Sequence, residues 1–147
     1  MGRRPGEQAP ARKSLTPRYL LDTHIWVRWL SAPNKLTREQ TRVMDEADRR
    51  REPFAISAIS LLEAAVLSGR RTRDEISFDD LVERFSSDSA IQTLPLTLEI
   101  AIEVEAIGDS LRDPADRAIV ATARVHRLKL ITSDERIIDS GLVPVIA

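Results

Sequence analysis

Apolar and polar residues alternate along this chain in short blocks, and the period changes from block to block. Residues 19–22, 54–57, 91–94, 128–132 and 143–146 are brief apolar runs bounded by charged or turn residues, the pattern of short strands. Between them apolar residues recur three and four apart, the helical period. Ile25, Trp26 and Trp29 predict a short helix over 24–30, broken by Pro33 and Asn34. Residues 37–51 predict a charged helix whose sparse stripe, Val43 and Ala47, leaves it largely exposed. Ile59, Leu62 and Val66 mark a helix over 58–67, capped by Ser57 and stopped by Gly69. A polar loop over 70–77 carries Arg70, Arg71 and Arg73, and a helix over 78–85 leads to a loop over 86–89. Thr97 caps a helix that runs through Val104 and Ile107 to Gly108. Asp113 and Pro114 suit the cap and first position of the next helix, and residues 136–139 form a helical turn. Pro144 assigns the last strand to a sheet edge, because proline cannot donate to a ladder.

Strands alternating with helices predict βαβ units, hence an α/β fold with a short central parallel sheet covered by helices on both faces. At 147 residues the chain fits one domain with one sizeable core. Residues 1–18, rich in Gly, Pro and basic side chains, read as a flexible tail, which leaves 19–147 as the folded domain.

Composition narrows the chemistry by exclusion. The net charge of -1 gives no overall attraction to nucleic acid, so any such contact needs local basic clusters. The absence of cysteine removes disulfides, thiolate zinc sites and cysteine nucleophiles, and fits a cytoplasmic location. There is no run of 18 apolar residues, so no membrane span is expected. The basic N-terminus lacks the apolar centre of a secretory signal. No glycine-rich phosphate loop supports an NTPase.

Four acids remain as the candidate chemistry. Asp22 ends the first strand, Glu63 lies two turns into the helix after the second, Asp116 opens the helix before the fourth strand, and Asp134 follows that strand. In an open parallel sheet all four positions lie toward the carboxyl edge, where ligands bind. Each acid has an ordinary reading as a helix cap or capping-box member; Ser60-x-x-Glu63 is one such match. Two placements argue for more. With Ser57 as the cap, Glu63 is too deep to close a box. Asp116 shares a face with Ile119, Val120 and Ala123, three, four and seven residues on, and an acid on a buried stripe is unfavourable unless compensated. Carboxylates without cysteine or a histidine pair suit a hard cation, Mg²⁺ or Mn²⁺. His24 beside the rim reads as a packing or hydrogen-bonding residue, and His126 as a surface residue at a helix end.

The segments Tyr19-Leu-Leu-Asp-Thr-His24, Ile56-Ser-Ala-Ile-Ser-Leu-Leu-Glu63, Asp113-Pro-Ala-Asp-Arg-Ala-Ile-Val-Ala-Thr-Ala123 and Leu130-Ile-Thr-Ser-Asp134 together resemble the PIN-domain nucleases, and most closely VapC-type ribonuclease toxins of toxin–antitoxin pairs. The resemblance runs from about Tyr19 to Ile146. It implies a PIN-like three-layer sandwich and matches Asp22, Glu63, Asp116 and Asp134 to the family's acidic metal-site positions. It matches Thr132 to the hydroxyl residue before the last acid, and Arg117 to an arginine that commonly follows the third, here a candidate phosphate contact. It further implies Mg²⁺ or Mn²⁺ dependence, an RNA substrate, a small inhibitory antitoxin protein and a homodimer.

The expected reaction is metal-dependent hydrolysis of an RNA phosphodiester, with Asp22 and Asp116 as direct ligands. Glu63 and Asp134 could ligate directly, act through water, or orient the nucleophile. Trp26 and Trp29, three apart beside the rim, are candidate anchors for a partner as well as core residues. Two rival readings stand beside this one. An aspartate-nucleophile phosphatase also starts with a strand ending in Asp, but it places a second Asp where His24 stands. A catalytically inert PIN-like RNA- or protein-binding module would keep the fold without needing the full set of acids.

Overall fold

The computed structural model describes residues 16–67, 76–87 and 90–147. Gly69, the arginines expected in the 70–77 loop, and most of the expected tail lie outside the described residues. Strands β1 (Tyr19–Leu21), β2 (Phe54–Ser57), β3 (Ile91–Leu94), β4 (Lys129–Ile131) and β5 (Val145–Ile146) form one parallel sheet in the order β3-β2-β1-β4-β5. The helices are α1 (Thr23–Ser31), α2 (Arg38–Arg49), α3 (Ala58–Leu67), α4 (Phe78–Ser87), α5 (Leu98–Ile107), α6 (Pro114–His126) and α7 (Glu135–Ser140). Among the described residues no helix is long and apolar enough to cross a membrane.

The two-residue period of the strands builds two cores. Tyr19, Leu21, Phe54, Ile56 and Ile131 point to one face and pack with Ile25, Trp26, Met44, Ala64 and Leu81 of α1 to α4. Leu20, Ala55 and Leu130 point to the other and pack with Ile100, Ile119, Val120 and Ile137 of α5 to α7. The result is the expected three layers. Leu20, Leu21, Leu130 and Ile131 are fully buried. Each such side chain contributes roughly 2 kcal/mol relative to exposure. The central strands are thus the most firmly held part of the sheet, and their carboxyl ends are a rigid platform.

The structure refines three readings. Helix α2 is largely exposed as expected, but its buried stripe is fuller than Val43 and Ala47: Gln40, Val43, Met44 and Ala47 are buried, a full i, i+3, i+4, i+7 face. Gln40 is polar and so falls outside an apolar pattern, yet its Nε2 donates to Ser133 Oγ at 2.9 Å and the Thr132 carbonyl at 3.3 Å. Both tryptophans pack toward the core, Trp26 fully and Trp29 partly buried. Trp26 is buried against Phe85, with ring centroids 5.7 Å apart, and Trp29 packs edge-on against Phe54 at 4.9 Å. Arg18, assigned to the tail, belongs with the fold: it pairs with Glu52 at 3.1 Å and lies over the Tyr19 ring. Strand β5 is an edge strand as expected, and the Pro144 carbonyl before it accepts the Leu130 N–H at 2.9 Å.

Candidate functional site

The chain steps outward from β1 to β2 and β3, then returns to place β4 and β5 on the other side. The sheet order therefore reverses between β1 and β4, and a crevice opens beyond their carboxyl ends. Asp22 leaves β1 here, and its N–H donates to the Ile131 carbonyl at 3.0 Å. The Asp22 side chain is buried and fully engaged. Its Oδ1 accepts the Thr23 N–H at 2.8 Å, capping α1, and its Oδ2 accepts the Thr132 hydroxyl at 2.7 Å. Thr132 Oγ1 in turn accepts the Asp134 N–H at 3.0 Å. Thr132 thus ties the first acid to the backbone of the last, a role that a purely apolar β-branched residue could not fill.

His24 holds the same corner. Its Nε2 accepts the Ser133 N–H at 3.1 Å and its Nδ1 lies 3.4 Å from Asp22 Oδ2. Burial lowers its pKa, opposed by the Asp22 carboxylate. A neutral ring agrees with Nε2 acting as an acceptor, so His24 is a hydrogen-bonding residue, as expected. The position two after Asp22 therefore offers no carboxyl group for the phosphatase chemistry.

Glu63 faces Asp22 across the crevice from α3. The Thr23 hydroxyl donates to Glu63 Oε1 at 2.6 Å and lies 2.8 Å from the Ser60 hydroxyl. Ser57 Oγ, as expected, accepts the Ile59 N–H at 3.2 Å at the start of α3. Glu63 is free of any capping duty. Burial raises its pKa, the Thr23 bond opposes this, and Asp22 and Asp113 add to it.

Asp113 caps α6, accepting from the N–H groups of Ala115 at 2.8 Å and Asp116 at 3.2 Å. Asp116 then lies on the inward side of the first turn, with 14% of its side chain exposed. Among the described residues no hydrogen-bond donor reaches its carboxylate, and the nearest cation is Arg136 Nη2 at 3.6 Å. Burial pushes its pKa up to about 6, helped by Asp113, Asp134 and Asp22 and opposed by Arg136. Asp134 caps α7. Burial alone would raise its pKa, but hydrogen bonds from Arg136 hold it below the ordinary value.

These groups line one cleft of about 360 Å³: Asp22, Glu63, Asp113, Asp116 and Asp134, with Thr23, His24 and Arg136, against an apolar wall that includes Val27, Leu67, Ile76 and Phe78. The structure brings all four predicted acids together, with Thr132 behind them. It does not bring Arg117 to the cleft. The Arg117 guanidinium turns onto the loop before α6, donating to the Leu111 carbonyl and lying 3.5 Å from Asp109 Oδ1. Sequence reasoning missed Thr23, Asp113 as a fifth acid of the cleft, and Arg136. The signal for Arg136 was a basic residue in the first turn of a helix, the unfavourable end of the dipole for a cation.

The donor set fits a hard divalent cation: carboxylate oxygens only, no thiol, and an imidazole already engaged by a backbone N–H. Asp116, without a donor among the described residues and pushed up by burial and then by neighbouring acids, is the carboxylate most in need of a cation. Among the described residues, however, no three candidate ligands converge closely enough to enclose an ion as they stand. Uptake would require side-chain movement at the rim.

Comparison with known proteins agrees with this geometry. The family model described as "PIN domain" matches residues 19–141. Ribonuclease VapC22 of Mycobacterium tuberculosis (strain ATCC 25618 / H37Rv) is 31% identical over 119 residues, which cover 80% of this chain and 88% of that protein. A chain of DNA-bound VapBC from Salmonella typhimurium superposes with a TM-score of 0.67 at 14% identity, covering 88% of this chain and 97% of that one. A chain of VapBC2 from Rickettsia felis, bound to a promoter DNA fragment, gives 0.66 at 15% identity, covering 86% and 96%. A chain of a toxin–antitoxin complex from Klebsiella pneumoniae gives 0.63 at 24% identity, covering 88% and 96%. These structures share the fold, and with a family match across most of its length the chain belongs to the PIN-domain family.

Proposed function

We propose that this protein is a metal-dependent endoribonuclease, the toxin of a toxin–antitoxin pair. The observation that carries the reading is the convergence of Asp22, Glu63, Asp113, Asp116 and Asp134 on one cleft at the sheet's switch point. The 31% identical relative bears the name ribonuclease, which supports RNA as the substrate.

Asp22, Glu63, Asp116 and Asp134 are the residues that would hold Mg²⁺ or Mn²⁺. When bound, such an ion supplies a polarised phosphoryl oxygen and an acidified attacking water. The chain's own residues set the frame for that chemistry. Thr132 and the Thr23 N–H fix both oxygens of Asp22, and the Thr23 hydroxyl fixes Glu63. One threonine therefore orients acids from β1 and α3 together. Val27, Leu67, Ile76 and Phe78 give one side of the cleft an apolar lining. The same wall beside the acids suits an antitoxin segment that brings apolar side chains and an arginine. RNA cleavage with Mg²⁺ or Mn²⁺, and in EDTA, tests the reading. Cleavage is expected only with the ion, and an undiminished rate in EDTA would overturn it.

A further inference from the structure

Arg136 occupies the place among the acids where a cation is needed. Its Nη2 lies 3.1 Å from Asp134 Oδ2 and 3.6 Å from Asp116 Oδ2, so one nitrogen bridges acids from two elements. Its Nε lies 3.3 Å from Asp134 Oδ1, and its own backbone N–H reaches that oxygen at 2.9 Å. Both oxygens of Asp134 thus face a single residue. Yet the Arg136 side chain is 73% exposed, and among the described residues only these two carboxylates hold its guanidinium.

We propose that Arg136 is an internal counter-ion: it bridges Asp116 and Asp134 until a divalent cation takes both carboxylates, and is then released onto the phosphodiester entering the cleft. This rests on the metal-dependent nuclease reading. Arg136 is the one lysine or arginine among the described residues that line the cleft, against five acids. A first-turn arginine gains nothing from the α7 dipole, so its position is explained by the acids and not by the helix. An exposed ion pair is weak and readily exchanged, whereas a doubly charged ion attracts the same oxygens twice as strongly. No three candidate ligands among the described residues converge as they stand, so side chains must move for an ion to enter, and Arg136, 73% exposed and held by ion pairs to two carboxylates, has room to swing out. After release its backbone stays fixed at the rim, two residues from Asp134. The guanidinium fork then matches the paired oxygens of a phosphate.

The test is calorimetric titration of Mn²⁺ into the RNA-free wild type, Arg136→Gln, and a remote control, Arg42→Gln, whose arginine pairs with Glu39 and Glu46 on α2. Arg136→Gln should bind Mn²⁺ about two- to fivefold more tightly, the range set by losing one weak competing ion pair, while the control matches wild type. In saturating Mn²⁺, a labelled single-stranded 2′-O-methyl oligonucleotide followed by anisotropy should bind Arg136→Gln about fivefold more weakly, the loss of one phosphate contact. Opposite signs distinguish the proposal from a structural role, which would weaken both affinities. Mn²⁺ binding that is unchanged or weaker in Arg136→Gln overturns the counter-ion. Undiminished oligonucleotide binding overturns the release. A wild type that takes up no Mn²⁺ defeats the underlying metal reading instead, before Arg136 is at issue.

Discussion

Replacing Asp116 by Asn should stabilise the metal-free protein while removing its activity. Asn keeps the shape of the side chain and deletes its charge. In the folded state burial, together with Asp113, Asp134 and Asp22, pushes the Asp116 pKa up to about 6 from an ordinary 3.8. The sign follows from proton binding: the folded state holds this proton more tightly than the unfolded chain. Its contribution to stability is fully present below the ordinary value and is lost as pH rises through about 6. Taken at face value the gap corresponds to about 3 kcal/mol, but the cleft is open and solvent screens these charges, so about 1 kcal/mol is the working figure. For a domain of this size that is roughly 3 to 5 °C in melting temperature. Thermal melts in EDTA from pH 4 to 8 should show Asp116→Asn above wild type at pH 7.5, with the two curves converging near pH 4. Mn²⁺ should reverse the order. At a hundredfold excess over its dissociation constant a ligand adds about 2.7 kcal/mol to the wild type, and the variant should gain much less. A variant that melts below wild type at pH 7.5 in EDTA, or a difference independent of pH, would refute the reasoning.

Thr132→Val removes the hydroxyl between Asp22 and the Asp134 N–H. Stability should fall by about 1 to 3 kcal/mol, the cost of stranded buried polar groups, and cleavage by at least about tenfold; melts and initial rates check the two effects separately. Arg127 ends α6 in the left-handed region at φ 56°. Arg127→Gly should raise the melting temperature by the equivalent of about 0.5 to 1 kcal/mol, since relief of the strain exceeds the added freedom of the unfolded chain, with the cleavage rate unchanged.

Much of the fold was legible because its strands are short apolar runs between helices, and the acids because each stands where a strand ends or a helix begins. Position along the chain then sets position at the rim. The residues that sequence reasoning missed or misplaced depend on side-chain direction and on contacts between distant segments. Arg117 is adjacent to Asp116, but one step along a helix turns a side chain by about 100°, which carries it onto the loop before α6 instead of into the cleft. Arg136 reaches Asp116 only because α7 and α6 begin side by side. Gln40 supports the β4 end across 92 positions of sequence, and no local pattern announces that contact. The two tryptophans are three apart and do share a side of α1, and that side packs on the core, with Trp26 buried in it and Trp29 partly buried at its edge.

The capping and catalytic readings of the acids are not rivals in this molecule. Asp22, Asp113 and Asp134 cap α1, α6 and α7, and all three line the same cleft. A parallel sheet that sends its chain into helices at the carboxyl edge gathers helix N-termini there. Each N-terminus presents unpaired N–H groups and the positive end of a dipole. Those groups are what make it tolerable to hold several carboxylates in one small space. Asp22 shows the balance: Oδ1 is fixed by a helix N–H while Oδ2 is turned toward Thr132 and His24. Glu63 and Asp116, which cap nothing, are the two whose pKa values rise. Burial and neighbouring carboxylates raise both of them, whereas Arg136 and backbone N–H groups hold Asp134 low. Glu63 and Asp116, which no helix N–H among the described residues holds, carry the unmet demand for positive charge that Arg136 supplies in part at Asp116 and that a divalent cation would supply in full.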